Sequence, residues 1–367
     1  MRVITVEGIG AELAAAALIR TLRRDGETVG VARLAPAADA GLPPPHTEFV
    51  AAHGALWPNG AFWLEWASDT AMPPTPDWAS SRASLVLAVP DPSIFDPASV
   101  CGQKLERRAA ASVPLTLDRF GRPAAARPVP PEGPVLRIGI LGDDRHLRTV
   151  NPAVLARLGD VADRAGRLVE PVPLPAAEVL AHGVPDTLHG LILPGGCDMT
   201  QTVAQIAAAR SARDSGLPVF GLCLGMQSMA TALMRDALWP DADFEEVLGP
   251  GPRRSLVRLH DDTGAPIHCL GDRPFRPMAG TRLAGLLSEA MRVRMNYRYH
   301  LNPEAVAHGF GGAVLHQTDP SGVVDALELP GHPFFIGLQG HPELGCDPAL
   351  AVLWDAFLAA AGDKAKS

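Results

Sequence analysis

The sequence predicts an α/β protein: a mainly parallel sheet flanked by helices, preceded by a smaller α/β domain. Two observations carry this prediction. Strand-like apolar runs alternate with helix-like segments along the chain, which is typical of parallel sheets whose crossovers are helices. The apolar run at 217–220 also leads into a Gly-x-Cys-x-Gly turn around Cys223 and then into a helix-like run. A nucleophilic residue at such a strand–turn–helix elbow predicts chemistry as well as fold.

Composition excludes several function classes. The chain has 367 residues, enough for two domains with their own cores. Its net charge of −8 argues against a nucleic-acid partner, and it lacks the run of about 18 apolar residues that would predict a membrane span. The five cysteines are widely spaced and form neither a disulfide framework nor a metal-binding pair. Because the N-terminus also resembles a strand rather than a signal peptide, we expect a cytoplasmic protein.

A proline-rich segment predicts the domain boundary. Four prolines between residues 122 and 131 cannot sustain a helix or a central strand. We therefore expect one domain at 1–115, a linker at 116–134 and a second domain at 135–367.

The N-terminal domain begins with a βαβ pattern. A strand at 3–7 is followed by a turn with Gly8 and Gly10, a helix at 11–24 and a strand at 29–34. This start predicts a Rossmann-like α/β domain.

The C-terminal domain continues the alternation of strands and helices. Short strand-like runs with turns between 255 and 333 predict antiparallel additions to its sheet. Its predicted elements are strands at 136–142, 188–193 and 218–222, helices at 151–167 and 202–215, and an amphipathic closing helix at 349–361.

The chemistry centres on Cys223. A helix N-terminus beyond the elbow favours the thiolate, which is the attacking form of cysteine. A cysteine nucleophile needs a base and the base needs an orienting group, and His341 and Glu343 fit these roles. Residues two apart in an extended segment project to the same side, and the proline between them favours that extended conformation. A buried strand at 334–339 would deliver the pair.

Acyl transfer also needs donors for an oxyanion. The Pro-Gly-Gly turn with Gly195 and Gly196 follows a predicted strand, where backbone without side chains can point N–H groups into a site. The amide of Leu224, directly after the nucleophile, is the other natural donor.

Three segments together resemble the signatures of class I (triad) glutamine amidotransferases. They are residues 193–196 (Leu-Pro-Gly-Gly), 221–227 (Gly-Leu-Cys-Leu-Gly-Met-Gln) and 341–343 (His-Pro-Glu). Within that class, the chain most resembles the glutaminase domain of CTP synthase. The Gly-Met-Gln ending of the elbow and the segments at 294–302 and 332–335 carry this closer likeness, which spans roughly residues 136–362.

The resemblance implies a reaction and a set of site residues. Cys223 would attack the side-chain amide of L-glutamine to form a γ-glutamyl thioester, and His341, oriented by Glu343, would protonate the leaving ammonia and then activate water. Gly196 and Leu224 would donate the oxyanion amides. The residues implied in substrate binding are Gly195, Gln227, Glu246 and Arg298. Asn296 departs from the family, which has an arginine there.

The N-terminal domain resembles a shortened amidoligase domain of CTP synthase. Its degenerate phosphate loop around Gly8 and Gly10 carries Ala11 where a P-loop needs a lysine to neutralise phosphate charge. The magnesium carboxylates of the family would fall near 56–60, which contains no acid. We therefore expect no ATP, no magnesium and no other cofactor.

Several interpretations stay open at this stage. The released ammonia would serve either a repurposed N-terminal domain or a partner enzyme, in a specialised biosynthetic pathway, and a homo-oligomer is compatible with the sequence. Alternatively, the triad acts as a hydrolase or acyltransferase on another amide, or the chain is a non-catalytic paralogue of CTP synthase. Residue by residue, Cys223 could be a core cysteine, His341 a structural histidine and Arg298 part of a solvated face.

Overall fold

The computed structural model describes most of the chain: residues 2–8, 11–33, 63–64, 66–67, 84–89, 92–100, 103–124, 133–196, 198–287, 291–317, 322–344 and 348–366. Gly10, the segment 56–60, most of the proline run, Cys197 and Cys346 lie outside these residues. Contacts divide the chain into two compact units, Met1–Pro130 and Pro131–Ser367. This division falls inside the proline-rich segment. That the first unit is a degenerate amidoligase-like domain stays a prediction.

The first unit contains a parallel sheet. Its elements are β1 (Arg2–Glu7), α1 (Ala11–Arg24), β2 (Val29–Arg33), β3 (Ser84–Val89) and β4 (Lys104–Ala109), with the strand order β2-β3-β1-β4. Helix α1 packs on the sheet through a buried face rich in alanine, whose small side chains let helix and strands approach closely. Strand β3 separates β1 from β2, so the two strands of the predicted βαβ start are parallel without being neighbours.

Part of the expected linker is folded. Strands β5 (Thr116–Leu117) and β6 (Pro123–Ala124) form a short antiparallel hairpin. A buried ion pair closes its turn, with Arg122 Nε 2.7 Å from Asp118 Oδ2. The prolines do not prevent this pairing, because strands of only two residues each need few hydrogen bonds between them. The expected linker at 116–134 is therefore wrong in its first part, which belongs to the first unit.

The second unit is built on a large sheet. Its strands are β7 (Val135–Leu141), β8 (Leu168–Leu174), β9 (Gly190–Leu193), β10 (Val219–Leu222), β11 (Asp243–Phe244), β12 (Arg254–Arg258), β13 (Cys269–Phe275), β14 (Met291–Tyr297), β15 (Tyr299–Leu301), β16 (Val314–His316), β17 (Ala326–Glu328) and β18 (Phe335–Leu338). Within the described residues, seven of them pair in the order β16-β17-β18-β10-β9-β7-β8. The run from β18 to β8 is parallel, and β16 and β17 add antiparallel strands. The predicted mainly parallel sheet with antiparallel additions is thus confirmed.

The helices of the second unit flank this sheet. They are α2 (Asp144–Thr149), α3 (Pro152–Arg164), α4 (Ala176–His182), α5 (Thr202–Ser215), α6 (Leu224–Ala237), α7 (Glu245–Leu248), α8 (Arg282–Leu286), α9 (Pro303–His308) and α10 (Ala351–Lys364). Helix α3 is shorter than predicted because it begins at a proline and Gly166 follows it with a φ of +58°. In the part of the chain that the structure describes, no helix has both the length and the apolar character of a membrane span.

An aromatic cluster attaches the closing helix to the sheet. Phe220 of β10 lies 5.2 Å from Trp354 and 5.7 Å from Phe334 between ring centroids, in edge-to-face geometry. Phe357 joins them, and all four rings are buried. Such pairs stabilise a core beyond the area that they bury, so they hold the central strands rigidly.

The register of the central strands sets up the functional edge. Gly221 of β10 lies opposite Leu193 of β9 on one side and Gly337 of β18 on the other. Because these strands are parallel, their carboxyl ends meet at the same edge of the sheet. The segments that follow the strands, which carry Gly195, Cys223 and His341, are thereby brought together.

Candidate active site

Cys223 lies at a strained elbow between β10 and α6. Its φ is +48°, a left-handed conformation that non-glycine residues rarely adopt. Its N–H donates to the carbonyl of Leu338 at 2.8 Å, and only 7% of the residue is exposed. Strain of this kind persists only where the surroundings enforce it, and it clusters at functional sites. The structure therefore places Cys223 as the sequence predicted, at the start of a helix.

The elbow packs directly against the end of the neighbouring strand. A Cβ added to Gly225 would collide with the carbonyl oxygen of Leu193, the last residue of β9. Only glycine allows this approach of one backbone to another. The frame around Cys223 is therefore a packing requirement that fixes the distance between the nucleophile and the Pro-Gly-Gly turn.

His341 and Glu343 form a buried pair. The distance from His341 Nδ1 to Glu343 Oε1 is 2.8 Å, and the two residues are 0% and 2% exposed. Residues Pro342–Leu344 form a 3₁₀ turn, so the expectation of an extended segment is wrong. The pair still meets because the tight turn folds the Glu343 side chain back onto the imidazole. The His341 N–H is itself fixed by the carbonyl of Arg294 at 2.8 Å.

The electrostatics of this pair favour an imidazolium. Complete burial by itself lowers the pKa of His341, but the negative charges of Glu343 and of the Cys223 thiolate outweigh burial and raise that pKa to about 10. Neither His341 Nε2 nor Glu343 Oε2 has a partner that meets full hydrogen-bond geometry. The sulfur of Cys223 nevertheless interacts with the ring closely enough to contribute to the shift. Such polar atoms, buried without a conventional partner, are typical of groups poised for reaction.

Gly195 lies between the nucleophile and the base. A Cβ at this position would come within 2.8 Å of His341 Cε1 and 3.3 Å of Cys223 Cβ. Two buried amides that the sequence analysis did not identify hold its turn: Asn151 Nδ2 donates to the Gly195 carbonyl at 3.0 Å and Gln205 Nε2 to the Pro194 carbonyl at 3.0 Å. Asn151 stands before a proline, a pattern that predicts only the start of a helix. Its sequence context therefore gives no indication of its hydrogen bond to Gly195.

The two predicted oxyanion donors flank this point. Leu224 is the first residue of α6, so its N–H has no acceptor within the helix. Gly196 directly follows Gly195 and has open space beside its Cα. Leu224 is thus next to Cys223 in the chain, and Gly196 is next to Gly195 in the turn. Their role as donors stays a prediction.

Gln227 is tied into a buried network. Its Nε2 donates to the carbonyl of Tyr299 at 3.0 Å and to Gln339 Oε1 at 3.2 Å. Gln339, which is fully buried, in turn directs Nε2 to Cys223 Sγ at 3.7 Å. The sequence analysis missed Gln339, although it stands two residues before His341 at the end of the predicted strand.

Glu246 and Arg298 lie close to one another. Desolvation raises the pKa of Glu246, while the positive charges of Arg298 and Arg258 act in the opposite direction. The side chain is exposed at the surface, so the desolvation is partial. The structure thus brings these two predicted substrate-binding residues together, and their contact with a substrate stays a prediction.

Asn296 faces the site through its backbone. Its carbonyl accepts from Cys223 Sγ at 3.7 Å, while its side-chain Oδ1 lies 2.6 Å from His268 Nε2. The residue that replaces the arginine of the family segment is therefore turned toward a neighbouring histidine.

Elsewhere the described residues offer little for cofactor chemistry. Among them, no cluster of three or more His, Cys, Asp or Glu side chains could hold a metal ion. A surface groove of about 450 Å³ between α3 and α10 is lined by charged residues such as Arg164 and Asp355, and contains none of the predicted site residues. The polar atoms without partners at the strand ends, rather than this groove, mark the candidate site.

Comparisons with known proteins agree with the geometry. The sequence model of the family "Glutamine amidotransferase class-I" matches residues 163–360, more than half of the 367 residues. The chain is 25% identical to a CTP synthase of Chlamydia pneumoniae over 289 residues, which are 72% of this chain and 53% of that protein. It is 35% identical to a CTP synthase of Pelotomaculum thermopropionicum over 168 residues, covering 43% of this chain and 31% of the relative. The chain thus spans about half, or less, of the length of these relatives.

A solved structure shares the fold. It is the Trypanosoma brucei CTPS glutaminase domain with bound acivicin, with a TM-score of 0.55 and 24% sequence identity. The match covers 62% of this chain and 94% of that domain.

Proposed function

Since the chain belongs to the class I glutamine amidotransferase family, we propose that its second unit hydrolyses L-glutamine with the triad Cys223, His341 and Glu343. The observation that supports this most is the convergence of strained, buried Cys223 with a buried imidazole that is itself held by a carboxylate at 2.8 Å. No cofactor is needed for this chemistry, because the thiolate and imidazolium supply both the nucleophile and the proton.

The reaction begins with attack by the Cys223 thiolate on the side-chain amide carbon of glutamine. A carbon–sulfur bond forms, and the carbonyl π-electrons move to the oxygen, which accepts hydrogen bonds from the amides of Gly196 and Leu224. When the intermediate collapses, the carbon–nitrogen bond breaks and His341 Nε2 gives its proton to the leaving nitrogen. Ammonia and a γ-glutamyl thioester result.

Hydrolysis of the thioester restores the enzyme. His341, now neutral, accepts a proton from water as the water oxygen attacks the thioester carbon. The carbon–sulfur bond breaks, glutamate leaves, and the thiolate and imidazolium are regenerated. Glu343 keeps the proton of the imidazole at Nδ1 throughout, so that Nε2 alone exchanges protons with the substrate.

We assign the amino-acid end of glutamine to Gln227, Glu246 and Arg298, with Gly195 lining the pocket floor. A carboxylate and an arginine side by side suit the ammonium and carboxylate groups of a free amino acid. The absence of a side chain at Gly195 leaves room for the substrate amide between Cys223 and His341.

The ammonia would serve either the first unit or a partner enzyme in a specialised pathway. ATP-dependent CTP synthesis by this chain is disfavoured, because Ala11 stands where a phosphate-loop lysine is needed.

The test is glutamine turnover in the purified full chain, read as glutamate released and as the mass of the acyl group on Cys223. We expect glutamate formation and a glutamyl adduct. In Cys223→Ala the adduct should be absent and the rate should fall by about six orders of magnitude. Cys269→Ala is the matched control, since this second free cysteine is not among the residues assigned to the reaction or to substrate binding.

Labelling by a glutamine-analogue electrophile keeps the test informative if turnover depends on a partner. An adduct of a different acyl mass would favour the alternative hydrolase or acyltransferase. Neither turnover nor labelling of Cys223 would overturn the proposal and favour a non-catalytic paralogue.

A further inference from the structure

We propose that Gln339 is a positioning residue that stabilises the thiolate of Cys223, and that Gln227 holds Gln339 in the orientation needed. This inference rests on the proposed function, in which Cys223 is the nucleophile. It concerns the three-residue relay Gln227–Gln339–Cys223, which is buried at the carboxyl ends of β10 and β18.

The backbone fixes the direction of both amides. The carbonyl of Tyr299 can only accept, so the atom of Gln227 that lies 3.0 Å from it must be the nitrogen. The same nitrogen lies 3.2 Å from the Gln339 side chain, which must therefore present its oxygen there. The NH₂ group of Gln339 is left to face Cys223 Sγ at 3.7 Å. No assumption about amide flips is needed, because one backbone acceptor determines the whole relay.

The two contacts of the sulfur favour opposite protonation states. The carbonyl of Asn296, 3.7 Å from Sγ, can accept only from the thiol and repels a thiolate. The NH₂ of Gln339 can donate to either form and binds the charged form more strongly, because hydrogen bonds to ions are about twice as strong as those between neutral groups. Gln339 thus offsets the carbonyl and keeps the reactive form accessible.

An amide suits this position better than a charged donor. Gln339 is fully buried, where an ionised side chain would be costly to desolvate. A neutral donor adds no second cation beside the sulfur, so the proton needed by the leaving ammonia stays on the imidazole of His341. Because both rotamer and amide direction are locked, the donor needs no reorganisation when the charge appears.

The relay also refines the role of Gln227. Its nitrogen has two hydrogens, and the carbonyl of Tyr299 and the oxygen of Gln339 use both. Toward a substrate, Gln227 is therefore an acceptor through Oε1, which suits the ammonium group of glutamine. The Gln227 side chain would thereby both contact the substrate and orient the donor to the thiolate.

The test is the pH dependence of Cys223 alkylation by iodoacetamide in the full chain, followed by peptide mass spectrometry. Alkylation reports the thiolate and requires no glutamine turnover. In Gln339→Met, which removes the donor, the pH of half-maximal reaction should rise by about one unit or more. Gln339→Glu, which replaces the donor by an acceptor once ionised, should raise it further, and Gln227→Met should raise it less.

Thr231→Val is the matched control. Thr231 is also buried on α6, and its Oγ1 lies 2.8 Å from Ser255 Oγ and 2.9 Å from the carbonyl oxygen of Gln227. The substitution therefore breaks buried hydrogen bonds of the same helix, one of them to the backbone of Gln227, and leaves the side-chain relay to the sulfur in place. Its alkylation profile should coincide with that of the wild type. If both Gln339 variants retain the wild-type profile, or if Thr231→Val moves it equally, the proposal is overturned.

The outcomes separate this inference from the proposed function. A shifted profile in the Gln339 variants, beside a wild type that shows neither glutamine turnover nor labelling by a glutamine-analogue electrophile, would support the relay and contradict the proposed reaction. An active wild type whose Gln339 variants keep the same profile would do the reverse. If Gln339→Met does not fold, Gln339→Glu has nearly the same shape and carries the test.

Discussion

The two units end a central parallel strand in different ways. In the first unit, β1 ends at Glu7. The Glu7 carboxylate accepts hydrogen bonds from two nitrogens of Arg107, at 2.7 and 2.5 Å, and from Thr5 Oγ1 at 2.6 Å. These contacts lower the pKa of Glu7, the Arg107 hydrogen bond first among them. In the second unit, β10 ends at Leu222 and Cys223 follows it directly, and His341 Nε2 has no conventional hydrogen-bond partner.

The two strand ends share their architecture and differ in whether the polar groups there have hydrogen-bond partners. Both strands are central in parallel sheets and both lead through a turn with positive φ toward a helix. In the first unit the polar groups at that point neutralise one another, which is how structural ion pairs behave. In the second, polar groups are buried without a full set of partners, an arrangement typical of functional sites. Chemistry should therefore respond strongly to changes in the second unit and weakly to changes in the first.

Among residues other than the triad nucleophile, the largest effect is expected from Gly225→Ala. The new Cβ would collide with the backbone of Leu193, so the elbow must move away from β9 and carry Cys223 out of line with Gly195. A displacement of about 1 Å can cost about a hundredfold in rate, and overpacking costs about 1–3 kcal/mol of unfolding free energy. Glutamate release and thermal unfolding measure the two effects.

Gly362→Ala is the control for that change. It lies in α10 with open space around its Cα and an ordinary helical backbone, so alanine should be neutral or slightly stabilising. An equal loss of rate in both variants would contradict the close-approach argument.

A medium effect is expected from Glu343→Gln, read as a pH profile. In the wild type, the pKa of His341 is raised to about 10, so its proton-donating form persists through neutral pH and is lost as pH rises through that value. Without the carboxylate, burial lowers the pKa of His341, and the alkaline limb of kcat/KM should move to lower pH by about one unit or more. An unmoved limb would show that Glu343 does not set the charge of the imidazole.

The smallest effect is expected in the first unit. Arg107→Met removes the partner of Glu7 at a largely exposed position, so glutamine hydrolysis should stay within about twofold of wild type. Calorimetry with ATP should detect no binding to the wild type or to Arg107→Met. ATP binding that requires Arg107 would contradict the comparison and make the first unit a second functional centre.

Much of the fold was accessible from local sequence. The helices at 11–24 and 202–215 were predicted to the residue, because alanine-rich runs bounded by turns carry their own signal. The hairpin at 116–124 was not predicted, because its turn is closed by the buried ion pair of Arg122 and Asp118. A local sequence rich in proline gives no sign of that pair. Cys223, His341 and Glu343 were identified because each lies in a short, dense motif.

The supporting residues required the tertiary structure. Asn151, Gln205 and Gln339 are single amides outside the three motifs, and their partners lie 44, 11 and 116 positions away in the chain. A polar side chain in an apolar run looks the same whether it faces solvent or a buried carbonyl. Only the register of the strands in the folded protein decides between these two environments.

The sequence by itself predicted that Cys223 and His341 would meet at the end of a parallel sheet, because strand, glycine turn and helix are encoded locally. The tertiary structure alone decided which polar groups surround the sulfur of Cys223. The alignment of β9, β10 and β18 brings Gly195, Cys223 and Gln339 to one edge. Hydrogen bonds between residues so distant in sequence form only once the strands are in register, and it is these bonds that determine which buried polar atoms are satisfied and which are left to react.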